Sequence, residues 1–370
     1  MTKVLNIISD TNIGGAGRCL INFLKYYDRS RYEVKVVLPE GSQLKPEVLK
    51  LDTPVIEVPG MGDKSFSVQA VRALKKVIKA ERPQIVHTHG AMSGRVAAKG
   101  TGAKIVYTRH SAFPVPERIK KNPGRFVNKT LNEHYADRII AVSEACKENL
   151  TDGGIDPALI TVMMNGVEAV NRASNAECEA LRAQYGIRPG DFVLGIMARI
   201  EDYKGHLYIL DAVKRLADQG RPVKLIIAGE GSFEQTVRAK AKELALDQQV
   251  IFAGFVRNVA PILSILDLQL NASYGTEASS LAMIEAFSLG IPVVASDYGG
   301  NPWMVDEGES GFLFPSRDSA AMAERIAGIM DDPALFAHMK TRAAEIYRER
   351  FTGEIFARNV EAVYDKALEG

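Results

Sequence analysis

At 370 residues the chain is long for one core and comfortable for two domains, and a make-up of 46% hydrophobic and 25% charged residues excludes a disordered or fibrous protein. The net charge of +1 offers no global attraction to nucleic acid or anionic membrane, so any such contact must come from a local patch. Three cysteines without paired spacing (Cys19, Cys146, Cys178) argue for a reducing compartment and against a structural zinc, and strand-sized apolar runs predict a cytoplasmic protein with no leader or spanning helix.

Val4 to Ser9 reads as a buried strand running into Asp10-Thr11-Asn12-Ile13-Gly14-Gly15-Ala16-Gly17-Arg18, with an apolar helix from Cys19 to Tyr26 behind it. Such glycines let backbone approach a ligand, and the helix start favours an anion. The dinucleotide spacing G-x-G-x-x-G is absent, and a tight turn without ligand stays open at this point. Strands at 33–38, 55–58 and 85–89 alternate with a helix at 67–79, which predicts a parallel sheet. His89 and His110 fall at the ends of successive strands, where open α/β sheets bind ligands, although a histidine so placed can equally be structural.

From Arg118 to Asn132 the chain is basic, with Arg118, Lys120, Lys121, Arg125 and Lys129 and no acid. Two readings stand: a solvated loop and helix face, or an acceptor-side segment touching an anionic lipid surface or lipid diphosphate. A strand at 138–142 then meets a helix capped by Ser143, and residues 171–190, polar and turn-rich around one short helix, predict the linker.

A second α/β unit opens with strand 192–197 and the loop Ala198 to Gly205, in which Arg199 and Lys204 are two cations able to reach one diphosphate. Strands at 223–228, 250–253 and 268–272 follow, with helices at 233–246 and 259–264. Between Tyr274 and Asp306, Glu277 precedes a helix over 281–289 and Glu285 lies on its second turn, with Ser279 or Ser280 as cap. The unpaired amides and dipole of that helix start suit a phosphate. Strand 292–296 and the loop Tyr298-Gly299-Gly300-Asn301 come next, and helices within 320–348 and over 354–368 finish the chain.

These segments, in this order, resemble the retaining glycosyltransferases of family 4, whose signature is a Glu, seven residues, a second Glu and a paired glycine. The resemblance covers nearly the whole chain and implies an α/β fold of GT-B architecture. Two Rossmann-like domains would face a central cleft, residues 1–172 on the acceptor side and 173–351 holding the donor, with the C-terminal helix (352–370) crossing back to the first domain. It implies that Glu277 contacts the donor sugar and Glu285 the ribose, while amides near Ser280 and Leu281 and the cations Arg199 and Lys204 hold the diphosphate. Phe255 and Val256 would cradle the base, Gly14, Gly15 and Arg18 match the family's glycine loop, and His110 matches its histidine beside sugar and acceptor. The family has Gly after the first Glu where Ala278 stands here, and Asp where Glu168 stands.

The implied activity is transfer of a sugar, with retention, from a nucleotide sugar to an acceptor glycan or lipid-linked glycan of bacterial polysaccharide synthesis. No cofactor or metal is expected, since the chain lacks Asp-x-Asp, and no nucleic acid. The protein would be cytoplasmic, with peripheral membrane contact through residues 118–129. A nucleotide-sugar epimerase on the same fold and a non-catalytic transferase-like subunit are the rival readings, and retention of both glutamates and both cations speaks against the second.

Overall fold

The computed structural model describes residues 1–369. It forms two compact units, one of Met1–Val167 with the stretch from Thr352 onward, the other Glu168–Phe351. The first contains strands β1 (Thr2–Ile8), β2 (Tyr32–Pro39), β3 (Val55–Val58), β4 (Ile85–His89), β5 (Lys104–Arg109), β6 (Arg138–Ala141) and β7 (Ile160–Val162). They make one sheet in the order β3-β2-β1-β4-β5-β6-β7, and every pairing is parallel. The second contains β8 (Phe192–Met197), β9 (Val223–Ala228), β10 (Val250–Gly254), β11 (Leu268–Asn271), β12 (Val293–Ser296) and β13 (Gly311–Phe314), parallel in the order β10-β9-β8-β11-β12-β13. Helices cover both faces, so central strands such as β4 and β12 are buried along their whole length, including the polar His87, Thr88 and His89 of β4.

Strand order fixes where a ligand can enter. Each sheet is built outward from one strand and then restarts on its other side, between β1 and β4 in the first unit and between β8 and β11 in the second. At such a reversal the loops beyond the carboxyl ends of the two strands diverge to opposite faces and leave a crevice. The chain places Gly14 and His89 at the first reversal, and Arg199, Lys204 and Glu277 at the second.

The last helix, Gly353–Glu369, packs on the helix Gly15–Tyr26 of the first unit, as the resemblance implied. Its start lies so close that a Cβ on Gly353 would come within 2.2 Å of the Tyr26 ring. Tyr364 is fully buried there against Phe23 and Tyr32, with ring centroids 5.9 and 5.6 Å away.

Two expectations change. The helix behind the first glycines begins at Gly15 rather than Cys19, so Gly15 lies in its first turn and Gly14 caps it. Residues 171–190 are no free linker: the helix Asn175–Gln184 packs Cys178, Leu181 and Tyr185 on the second unit's core, and Arg172 donates to the Leu289 carbonyl. The one short helix expected there is present, and what its polar outer residues disguised is the apolar edge that anchors it.

Candidate active site

Three loops interlock at the reversal of the second sheet. Glu277, 8% exposed, lies in the loop after β11, and its Oε2 accepts from Lys204 Nζ at 2.8 Å, Ser273 Oγ at 3.0 Å and Asn271 Nδ2 at 3.2 Å. Asn271 is held in turn, because its Oδ1 accepts from the Ser273 amide at 3.1 Å. Burial alone would raise the Glu277 carboxyl, but the Lys204 ammonium and these hydrogen bonds outweigh it and hold it below the usual carboxylate range. The side chain is therefore ionised and bound to a cation in the ligand-free protein.

Close backbone contacts hold the pair in place. Gly299 has φ +62°, and a Cβ there would lie 2.1 Å from the Glu277 carbonyl, which accepts from the Gly300 amide at 2.9 Å. Gly205, after Lys204, has φ +75° and would bring a Cβ within 2.0 Å of the Ala272 carbonyl. The Tyr274 amide donates to the Tyr203 carbonyl at 2.9 Å, and Tyr298 Oη donates to the Gly275 carbonyl at 2.7 Å.

The helix beyond Glu277 runs Leu281–Ser288, and Ser280 rather than Ser279 caps it by accepting from the Met283 amide at 3.4 Å. Leu281 and Ala282 are its first two residues, whose amides have no partner within a helix. Glu285 stands on the second turn, half-buried. Arg199 is exposed and donates to Tyr203 Oη at 3.2 Å, so the two cations of this loop differ: Lys204 is tied to a carboxylate and Arg199 lies at the surface. Phe255 is 70% exposed, its amide donating to Glu230 Oε1 at 3.3 Å, with Val256 half-buried next to it.

In the first unit Gly14 and Gly15 form the start of a helix that has no side-chain cap, and a Cβ on Gly14 would lie 3.9 Å from the Asp10 carboxylate. Burial, with Asp63 close by, raises that carboxyl. His110 joins a histidine chain: its Nε2 is 2.9 Å from His89 Nδ1, and His89 Nε2 is 3.1 Å from Asn6 Oδ1. An amide oxygen only accepts, so in this arrangement His89 donates from Nε2, accepts at Nδ1 and fixes His110 with its proton on Nε2 and a lone pair on Nδ1. His87 lies beneath, its ring 4.4 Å from that of His89 and bonded to Tyr364 Oη at 2.8 Å and Thr108 Oγ1 at 2.6 Å. Burial lowers all three, His87 to about 3 and His110 to about 4, so they are neutral imidazoles at pH 7.

Asn6, His87, Asn271, Ser273 and Tyr364 escaped the sequence reading. Asn271 and Ser273 had a faint signal, being polar residues that close an apolar strand shortly before the next acid. Asn6 and Tyr364 had none, since one is a polar residue inside a buried strand and the other comes from the far end of the chain. The basic run is less open than its composition implied: Lys120 pairs with Glu117 at 3.2 Å and Lys129 with Glu133 at 3.9 Å.

Two parallel sheets with this order, and polar groups gathered where each reverses, define an α/β protein of the GT-B class. Residues 178–346 match the family of glycosyl transferases group 1, and residues 13–170 match Glycosyltransferase Family 4. The chain belongs to these glycosyltransferases. It is 27% identical over 281 residues to the UDP-Gal:alpha-D-GlcNAc-diphosphoundecaprenol alpha-1,3-galactosyltransferase of Escherichia coli, covering 72% of each chain. It is 26% identical over 359 residues to D-inositol 3-phosphate glycosyltransferase 2 of Catenulispora acidiphila, covering 90% of this chain and 83% of the relative. Among solved structures it matches that of Anabaena HepE in complex with UDP and glucose with a TM-score of 0.82 at 23% identity, over 99% of this chain and all of the other.

Proposed function

We propose that this glycosyltransferase moves a sugar, with retention and without a metal, from a nucleotide-diphosphate sugar to a hydroxyl of a lipid-linked glycan in bacterial surface polysaccharide synthesis. The observation that carries the reading is the ion pair of half-buried Lys204 with buried Glu277 beside the start of the helix Leu281–Ser288. All three donors to Glu277 converge on Oε2, which leaves Oε1 to accept from a donor-sugar hydroxyl. Lys204, the Leu281 amide and the helix dipole then face the diphosphate, where negative charge grows as the bond to the anomeric carbon breaks. Arg199, hydrogen-bonded to a tyrosine hydroxyl at the surface, swings onto the same group when it arrives.

In this reading the acceptor oxygen attacks the anomeric carbon on the face that the diphosphate leaves. The departing phosphate oxygen takes the acceptor's proton, so the products are the glycoside and the nucleoside diphosphate. Glu285 serves the ribose, Gly14 and Gly15 open the loop toward the ligand, and neutral His110 offers its Nδ1 lone pair to a sugar or acceptor hydroxyl. The lipid-linked acceptor draws support from the Escherichia coli relative, which is named for a diphosphoundecaprenol substrate.

The test is to incubate the protein with a panel of nucleotide sugars, with and without diphosphoundecaprenol-linked GlcNAc, and to follow the anomeric proton by NMR. Formation of an α-glycoside from an α-linked donor, undiminished by EDTA, is expected. An inverted product or loss of activity on chelation would overturn retention or metal independence, and a donor epimerised without acceptor would favour the epimerase.

A further inference from the structure

The basic segment holds an 11-residue helix, Gly124–His134, in which no residue is buried. Its orientation is the reverse of an ordinary surface helix. The side turned to the protein is polar: Asn128 Nδ2 donates to the Gly153 carbonyl at 2.8 Å, and buried Arg95 donates from Nη2 to the Asn132 carbonyl and to its Oδ1, both at 3.1 Å. Arg125, on the same side, reaches the Thr151 carbonyl at 3.4 Å. The side turned away carries Phe126, Thr130 and His134 at i, i+4 and i+8, with Val127 and Leu131 in the adjoining row. Phe126 is 66% exposed, Val127 52% and Leu131 47%, and Phe113 in the preceding extended segment is 55% exposed.

An apolar row held outward by a hydrogen-bonded polar back indicates that the exposed side has its own partner. Charge selects which kind. Glu117 and Glu133 account for Lys120 and Lys129, whereas Arg118, exposed in the short helix Glu117–Lys120, and Lys121, exposed just after it, enter no ion pair among the described residues. Aromatic and aliphatic side chains beside unpaired cations fit the boundary between acyl chains and anionic headgroups, where a helix lies in the plane of the surface. No helix among the described residues is long and apolar enough to cross a membrane.

We infer that Phe126, Val127 and Leu131, with Arg118 and Lys121 at the edge, dock the first unit onto an anionic bilayer. The contact surface is thus the apolar side of one helix rather than the cationic run as a whole. It rests on this face and not on the transfer reaction, so each is tested separately.

The full chain is sedimented with vesicles of phosphatidylcholine alone and of phosphatidylcholine with phosphatidylglycerol, in the absence of donor and acceptor. Binding to the anionic vesicles is expected, weakened by salt. The variant Phe126→Ser with Val127→Ser and Leu131→Ser should bind at least tenfold more weakly, and Arg118→Gln with Lys121→Gln should lose roughly fivefold per cation. Acceptor-free donor hydrolysis and the melting temperature should be unchanged in both, because these side chains support no core. Equal binding of the triple-serine variant, or equal binding to both vesicle types, would overturn the inference. So would a dimer in sedimentation velocity that the serine substitutions dissociate, which would assign the face to a second copy of the chain.

Discussion

The two sheets reverse their strand order in the same way, yet the groups gathered at the two reversals are chemically opposite. At β8 and β11 the chain sets a charged pair, Lys204 with Glu277, and at β1, β4 and β5 a chain of neutral imidazoles on Asn6. Topology supplies the crevice and leaves the chemistry to whichever side chains end the strands. An ion pair with one half-buried member suits charge that moves, because that member can exchange its partner for a ligand. Neutral histidines suit hydroxyl groups, because each ring offers one donor and one acceptor.

Breaking the charged pair should have the largest effect. Lys204→Ala leaves Glu277 buried without its cation, which costs about 3–5 kcal/mol of stability, and lowers kcat/KM by two or more decades. Adding Glu277→Gln should restore much of the melting temperature and none of the activity. A double variant that melts like Lys204→Ala would show that the pair is not what holds this site.

The imidazole chain should respond through position rather than charge. His110→Ala is expected to lower kcat about a hundredfold, and His89→Phe by less, with KM for the donor little changed in the second. The ¹⁵N shifts of the His110 ring report the tautomer directly: a proton on Nε2 in the native protein and a mixture in His89→Phe. A proton found on Nδ1 in the native protein would reverse the assigned direction of the chain.

Acid should distinguish the two sites by midpoint. The histidines have folded-state values depressed below the ordinary 6.5, so the unfolded chain binds their protons first. Their contribution is complete above pH 6.5 and is lost as pH falls toward about 4 for His110, at about 1.4 kcal/mol for each tenfold difference in proton affinity between the folded and unfolded chain. Glu277 is also depressed, but as a carboxylate: its contribution is present above the ordinary 4.5 and is lost only as pH falls through its lower folded value. Urea melts of the native protein and His110→Gln should therefore converge between pH 6.5 and 4, and those of Glu277→Gln below 4.5.

The smallest effect on stability should come from Arg199→Ala. The side chain is exposed and its hydrogen bond goes to the Tyr203 hydroxyl, so the melting temperature should not move. Turnover should still fall about thirtyfold, since a charge-assisted contact to the leaving group carries about 2 kcal/mol. Unchanged kcat/KM would leave the diphosphate to Lys204 and the helix start.

The strands were legible because parallel sheets bury both faces, and apolar runs such as Phe192–Met197 have no amphipathic alternative. The candidate residues of the second unit were legible for a related reason: Arg199, Lys204 and Glu277 are charges placed shortly after such runs. The helix Asn175–Gln184 was legible as one short helix in a polar stretch, but its anchoring was not, because a few residues along one edge meet the core and the rest face solvent.

Local sequence determined the two α/β units, the helix starts and the charges at the strand ends, since each depends on neighbours a few positions away. Tertiary structure decided what no spacing encodes. Lys204 and Glu277 are 73 positions apart and meet only because β8 and β11 are adjacent. His87 and Tyr364 are 277 apart and meet because the last helix lies on the first. The outward side of Phe126 and Leu131 was likewise hidden: a helix pattern shows that two faces differ, and only the hydrogen bonds of Asn128 and Asn132 show which one is turned inward.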